Sequence, residues 1–434
     1  MKRILVSLLL LAFFSAPVLS LPSNDYIVPL CKQFSKGLFD PNAGPLLSPT
    51  LSVVNATTNS GFFHSAYVPA KVDKPYFRVT LNSFGGFVGD DMLTFKPTIP
   101  SKEFNMADIP EFITIFPTLN IKDTAGLMNY FFLCLIDRGL KDGTINVPKK
   151  SATLLGGEGA IITLEDTTML NLLKGFLEEN EALSNILKLY APELLNDIEN
   201  VFTFGELSFP LPTGGNLSTI IAGVPQFEIG SLFGTELLIR LIPKISLGEY
   251  IGNFSFWGIG LKHSISQYFY EDKNTDGNAL IRENAPLFDL SVQVVYQHTS
   301  LDNKVGVTNA LLSANANVFC FNVNASKRVL DLLEVYGGIG YERLDITGSF
   351  KYYLPVTLQR DLGLMRYDPE TDRIITDPPE YPGDNDPQTT KITLDHNQFK
   401  LTFGAAVTLG PVIVFVDYSV TKFPVLGAGL QVRF

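Results

Sequence analysis

Charge is scarce in this chain: Asp, Glu, Lys and Arg make up 18% of 434 residues, against about a quarter in a typical soluble domain. Cysteine is scarcer still. Cys31, Cys134 and Cys320 are scattered and odd in number, which excludes a disulfide framework and offers no metal-ligand spacing; they read as buried small apolar residues, with at most one incidental bridge. Of the four histidines, His64, His263, His298 and His396, only His396 has a neighbouring carboxylate, Asp395. With no nucleophile elbow or phosphate loop, an enzyme is not expected. Past the first twenty residues no apolar run nears the roughly 20 residues of a membrane helix; the densest, Tyr130 to Ile136, is far shorter. A basic excess is also missing: net charge is -11 and pI about 5.0, which argues against a nucleic-acid partner.

What is present begins at the two ends. Lys2 and Arg3 precede an apolar run from Ile4 to Phe14 and then Val18-Leu19-Ser20, the layout of a secretory signal peptide (residues 1–20) cut at about Ser20. Cys31 lies too far downstream for a lipid anchor. At the other end, Leu430, Val432 and Phe434 alternate with Gly429, Gln431 and Arg433, so one strand face is apolar and the other polar. An apolar face for lipid, a polar face for a lumen and a terminal Phe resemble the closing strand read by the bacterial outer-membrane assembly machinery. Gly429, Val432 and Phe434 are therefore candidate assembly-signal residues, and that machinery and outer-membrane lipid are the expected partners.

Between the ends, several segments alternate over the roughly 9 to 11 residues that a tilted strand needs to cross a bilayer. Phe288, Leu290, Val292, Val294 and Tyr296 oppose Asp289, Ser291, Gln293 and Gln297; Phe399 to Leu409 and Val412 to Val420 alternate likewise. Charges fall on the polar face, as they must when a Lys or Arg facing lipid at mid-membrane costs about 2–4 kcal/mol. Further strands are expected at 75–88, 152–164, 217–230, 235–243, 252–269, 306–323 and 331–346, with weaker ones at 62–70 and 111–118. The expected fold is all-β: an antiparallel transmembrane β-barrel of 12 or 14 strands over residues 61–434, preceded by a periplasmic or lumenal segment, 21–60.

Two stretches break the rhythm. In 166–200, Leu170, Leu173, Leu177, Leu183, Ile186, Leu187, Tyr190, Leu194 and Ile198 recur at helical spacing, a small helical insertion expected as a hairpin on the barrel mouth rather than a plug in the lumen. Residues 354–390 form a Pro- and Asp-rich loop. Counting strands back from Phe434 places this loop outside the cell, with both chain termini periplasmic.

Two constellations carry possible chemistry. Asp272-Lys273-Asn274-Thr275-Asp276-Gly277-Asn278, closed by Glu283, matches the D-x-[DN]-x-[DN]-G-x5-E calcium loop, with oxygens at alternate positions, a Gly for the turn and a bidentate Glu at position twelve. Asp272, Asn274, Asp276, Asn278 and Glu283 would be the ligands of a weak structural Ca2+. The flanks read as strands, not helices, and the same residues also suit an ordinary hairpin loop. Glu228, Glu236 and Arg240 would all face the lumen if an odd-length turn of three or five residues joined their strands near Leu232-Phe233. They would then brace the barrel interior or contact a substrate.

The segments Ser60 to Leu81, Pro225 to Pro243, Pro286 to His298 and Tyr336 to Glu342 together resemble an uncharacterised family of bacterial outer-membrane β-barrels, a domain of unknown function. The helical insertion and the calcium-like loop stand outside that resemblance. At fold level the chain is also similar to the long-chain fatty acid transporters, which implies a barrel with an N-terminal hatch and nothing about substrate. The expected function is an outer-membrane channel or transporter for small molecules, hydrophobic ones included, with the ligand itself unknown. The alternative is a structural or surface-interaction barrel without transport, and a third reading is a secreted soluble all-β protein.

Overall fold

The alternating segments roll into one closed ring in the computed structural model, which describes residues 24–114, 120–190, 192, 195–196, 198, 205–246, 252–269, 287–305, 310–330, 332–368, 373–375 and 382–434. Among the described residues, ten antiparallel strands close the barrel: β1 (Tyr76–Phe87), β2 (Thr219–Leu232), β3 (Thr235–Ser246), β4 (Asn253–Ser264), β5 (Asp289–Val305), β6 (Ala310–Arg328), β7 (Leu333–Tyr352), β8 (Gln388–Leu409), β9 (Val412–Val420) and β10 (Val425–Arg433). Each pairs with its sequence neighbour, and β1 closes on β10 with Val79 opposite Val432 and Leu81 opposite Leu430. No described helix is long and apolar enough to cross a membrane.

The ring has ten strands, not 12 or 14. Residues 62–70 are not a strand but an irregular stretch within the lumen, and 111–118 contributes only the two-residue Ile113–Thr114 among its described residues. Ser151–Ala152 and Ile161–Glu165, from the expected strand 152–164, pair with Thr94–Phe95 and Glu206–Pro210 and never join the ring. Alternation signals a half-buried strand but does not say what covers its apolar face. In this segment a helical body covers it.

Outward positions form a continuous apolar band. On β8, Phe399, Leu401, Phe403, Val407 and Leu409 are exposed, and ten residue rises of ~3.3 Å tilted ~40° give a band ~25 Å tall. An aromatic rim marks its upper edge: Trp257, Tyr296, Tyr341 and Phe399 lie there, and the Tyr296 and Tyr341 hydroxyls donate to Asn317 and Asn397 at 3.1 Å. Beyond this rim the outward positions turn polar, with Asp345, Thr347, Ser349 and Lys351 on β7.

The two mouths are unlike. At the end holding Phe434, the described connections include the short turns at Phe233-Gly234 and Gly410-Pro411. The opposite mouth bears the long excursion between β1 and β2, which contains α2 (Thr124–Asp142), α3 (Asp166–Glu179) and α4 (Glu181–Tyr190), and the segment between β7 and β8. The helical insertion read at 166–200 is thus part of a larger body on the mouth. Its partner is α1 (Asn24–Thr58), whose Phe34 packs edge-on against Phe132 of α2 and Phe209, with ring centroids 5.4 and 4.7 Å away.

Helix α1 does not stay at that mouth. Its last turns descend into the ring, where Val53 and Thr57 approach Gly86, and the following segment continues until the Pro69 carbonyl accepts from Ser231 near the far rim. The start of α1 and the C-terminal Phe434 therefore lie at opposite ends of the barrel, and the expectation of both termini on one side is corrected. Pro29, Pro41, Pro45 and Pro49 all lie inside α1. In open water such residues break helices. Here enclosure and side chains compensate: the Asn42 amide donates to the Leu38 carbonyl at 2.6 Å and the Thr98 carbonyl at 2.7 Å.

Candidate functional site in the barrel lumen

The inner wall changes character along its height. Toward the helical mouth it is apolar, with Phe254 and Phe256 on β4, Leu312 and Val318 on β6, and Leu344 and Phe350 on β7, all buried. Toward the Phe434 end it carries Arg78, Glu228, Glu236, Arg240, Lys262, Glu342 and Lys400, again all buried. An apolar wall facing water would lose about 25 cal/mol per Å² of exposed surface, so the upper lumen requires a filler. Ten strands ~4.8 Å apart at a ~40° tilt make a ring of ~10 Å backbone radius, which leaves room, inside the inward side chains, for about one helix of ~10 Å diameter.

The filler is anchored where α1 ends. A helix terminates in carbonyls without intrahelical donors and a partial negative charge. Arg240, fully buried, donates to the carbonyls of Thr58 at 2.7 Å and Gly61 at 2.6 Å, while Lys400 on β8 donates to the carbonyl of Asn59 at 2.6 Å. Both cations also lie against the Phe62 ring, the Arg240 guanidinium 4.3 Å and the Lys400 amine 5.0 Å from its centre, within cation–π range. Gly61 sits at φ +61, and a Cβ there would run into the Phe84 ring. Below it His64 stacks on Phe415 with ring centres 5.0 Å apart, and the backbone N–H of Ala66 donates to Ser326.

Carboxylates balance the wall cations. Glu236 accepts from Arg78 at 2.7 Å, Lys262 at 2.8 Å and the Tyr76 hydroxyl at 2.6 Å. Glu228 lies 3.4 Å from Arg78 and accepts from Gln226 and, at 3.1 Å, from Gln431 of the closing strand. Gln226 in turn accepts from Arg240 at 2.8 Å. Across the lumen Glu342 pairs with Lys400 and accepts from Gln398.

Glu228, Glu236 and Arg240 thus share one network, although Arg240 reaches Glu228 only through Gln226 and spends its other donors on the filler. The connection between their strands is the two-residue Phe233-Gly234 turn, both at positive φ, with a register shift between Ile229 and Leu232. The extra bulge residue supplies the odd parity, in place of a three- or five-residue loop. Sequence reasoning missed Arg78 and Lys262, although both hold inward positions between exposed apolar residues, Phe77 and Val79 for one and Leu261 for the other.

The remaining candidates fall elsewhere. Gly429 lies under the Phe415 ring, Val432 pairs with Val79, and Phe434 exchanges backbone hydrogen bonds with Phe77 at 2.9 and 3.3 Å, closing the ring. Asp272, Asn274, Asp276, Asn278 and Glu283 lie outside the described residues, as do residues 1–20. Among the described residues no group of three or more His, Cys, Asp or Glu could hold a metal. His396 and Asp395 are neighbours on β8, so they point to opposite faces. The three cysteines are free and buried.

The model of a family of unknown function (DUF6588) matches residues 1–434. No curated protein matches the chain significantly. Among solved structures it is similar to Ail, the attachment invasion locus protein of Yersinia pestis, at 9% identity over 46% of this chain and 96% of that one, with a TM-score of 0.22. It is also similar to the translocator domain of the autotransporter NalP from Neisseria meningitidis (8% identity, 92% and 98% covered, TM-score 0.25) and to a Pseudomonas aeruginosa FadL homologue (8%, 83% and 89%, 0.17). Likeness at this level carries no functional argument.

Proposed function

The chain belongs to that family of unknown function, and since membership assigns no activity, we propose from its geometry that it is an outer-membrane barrel held shut by its own N-terminal helix, presenting a helical body at the cell surface. The observation that carries this is the grip of Arg240 and Lys400 on the carbonyls that end α1. The ~25 Å apolar band with its aromatic rim supports the membrane setting, and the short turns beside Phe434 support a periplasmic position for that end. This favours the structural or surface-interaction alternative over a permanently open channel, and the reading includes no enzymatic step.

Planar-bilayer recording of the refolded full chain tests it. The intact protein should show no stable conductance, whereas a variant lacking residues 24–60 should conduct. Steady open-channel steps from the intact protein would sink the reading in favour of a transporter. The calcium loop enters as a proposal of its own: with Asp272, Asn274, Asp276, Asn278 and Glu283 as ligands, free calcium at 100 times its dissociation constant would add about 2.7 kcal/mol. A chelator should then lower the unfolding temperature, and Asp276→Ala should remove that difference.

A further inference from the structure

We propose that this barrel carries its own N-terminal helix across the membrane, so that the start of α1 stands on the outer side while Tyr76 and Phe434 stay on the inner side. The inference rests on the outer-membrane reading above and adds to it a translocation event built into assembly.

The path of the chain leaves little choice. Strand β1 is hydrogen-bonded on one side to β10 and on the other to β2, and the segment immediately before it runs inside that ring, from Gly61 against Arg240 to Pro69 against Ser231. Everything ahead of Thr58 is therefore reached only through the ring. A chain delivered by a secretory signal meets the membrane from the inner side, so the ring either closes around α1 or draws it through. In both cases the first half of α1 ends at the mouth opposite Phe434.

What waits at that mouth explains the direction. Phe34 fills a site between Phe132 and Phe209, the Leu46 carbonyl accepts from Leu154 at 3.2 Å, and Lys32 pairs with Asp384 of the segment between β7 and β8 at 2.6 Å. The helical body lacks part of its core until α1 arrives, because Phe34, Leu38 and Leu46 are buried in the finished fold. Burial of those side chains favours the crossed state, since apolar surface removed from water on the outer side has no counterpart on the inner side. The cations that then seize the end of α1 act as the catch: Arg240 and Lys400 find their carbonyl partners only when Thr58, Asn59 and Gly61 have reached mid-lumen.

The test places one short epitope at a time in the full chain: ahead of Asn24, in the segment between β7 and β8, or at the Gly410-Pro411 turn. Antibody is applied to intact cells and to cells with the outer membrane opened. The expected result is equal staining of the first two epitopes before and after opening, and staining of the third only after opening. If the β7–β8 epitope stains on intact cells and the Asn24 epitope does not, the translocation proposal is overturned while the membrane reading stands. If the Gly410-Pro411 epitope stains on intact cells and the other two do not, the orientation itself is wrong and the proposal falls with it.

A second variant guards against an epitope that disturbs folding. A Cβ built at Gly86 lies 2.9 Å from Thr57 Cγ2, close to the ~3 Å between a Cβ and the partner sulfur that follows from disulfide bond lengths. The pair Thr57→Cys and Gly86→Cys should therefore cross-link in the oxidising periplasm, and mass spectrometry of the membrane-embedded protein should recover the joined peptides. Recovery of both peptides only as free thiols would show that α1 does not occupy the lumen in cells and would overturn the proposal.

Discussion

At the scale of single residues, the lumen is a set of charges that satisfy one another and the backbone they grip. Arg240→Ala leaves the Thr58 and Gly61 carbonyls buried without that donor, which costs about 1–3 kcal/mol for each orphaned group. The temperature at which the folded gel band converts to the unfolded one should fall, and intermittent conductance should appear. Glu236→Gln should cost about 3–5 kcal/mol, because it removes the charge facing both Arg78 and Lys262. A wild-type melting profile for that variant would show that the network contributes nothing. In the helical body at the mouth, burial pushes the Cys134 thiol on α2 up to about 11 and the Tyr130 phenol up to about 12. A group whose folded pKa is raised loses its stabilising effect as pH climbs through and beyond its unfolded value, here from about 9 toward 11 for Cys134. Helical circular dichroism and thiol reactivity of the mouth body should thus report loosening between about pH 9 and 11, with no change between pH 6 and 8.

At the scale of elements, the last strand and the first helix have opposite legibility. Strand β10 was readable from alternation alone: Leu430 and Phe434 are exposed, Gln431 is buried, and Val432 pairs across the closing seam. Deleting Phe434 removes both of its hydrogen bonds to Phe77, and membrane-assembled protein should drop while periplasmic degradation products rise; unchanged levels in a membrane-fraction blot would separate seam closure from the terminal aromatic. Helix α1 was not readable, because four prolines outweigh any local helical preference. It exists because the helical body around its start and the lumen around its end exclude water and leave a helix as the way to pair most of its backbone groups.

For the whole molecule, the two mouths differ: the Phe434 end holds the short turns at Phe233-Gly234 and Gly410-Pro411, and the opposite mouth the long excursion between β1 and β2 and the segment between β7 and β8. The segment between β7 and β8 lies on the side away from Phe434, as backward counting implied, even though the strand total was too high. Protease added to intact cells should cleave within 354–390 and leave the ring migrating as a heat-modifiable band. Cleavage only after the outer membrane is opened would reverse the assigned orientation.

Much of this protein is written in its sequence because a closed ring with an apolar outer face and a filled interior imposes a period of two along every strand. The outward rows of Phe399 to Leu409 and Val412 to Val420 and the inward placement of Glu228, Glu236 and Arg240 follow from that period. The number of strands does not, since Ile161–Glu165 alternates just as well while packing on helices. Nor could the sequence reveal what Arg240 and Lys400 bind. Their partners are main-chain carbonyls, which carry no residue identity, more than 170 positions away for Arg240 and more than 330 for Lys400. Only the closing of the ring around α1 brings them together, and with them the decision that this lumen is filled rather than open.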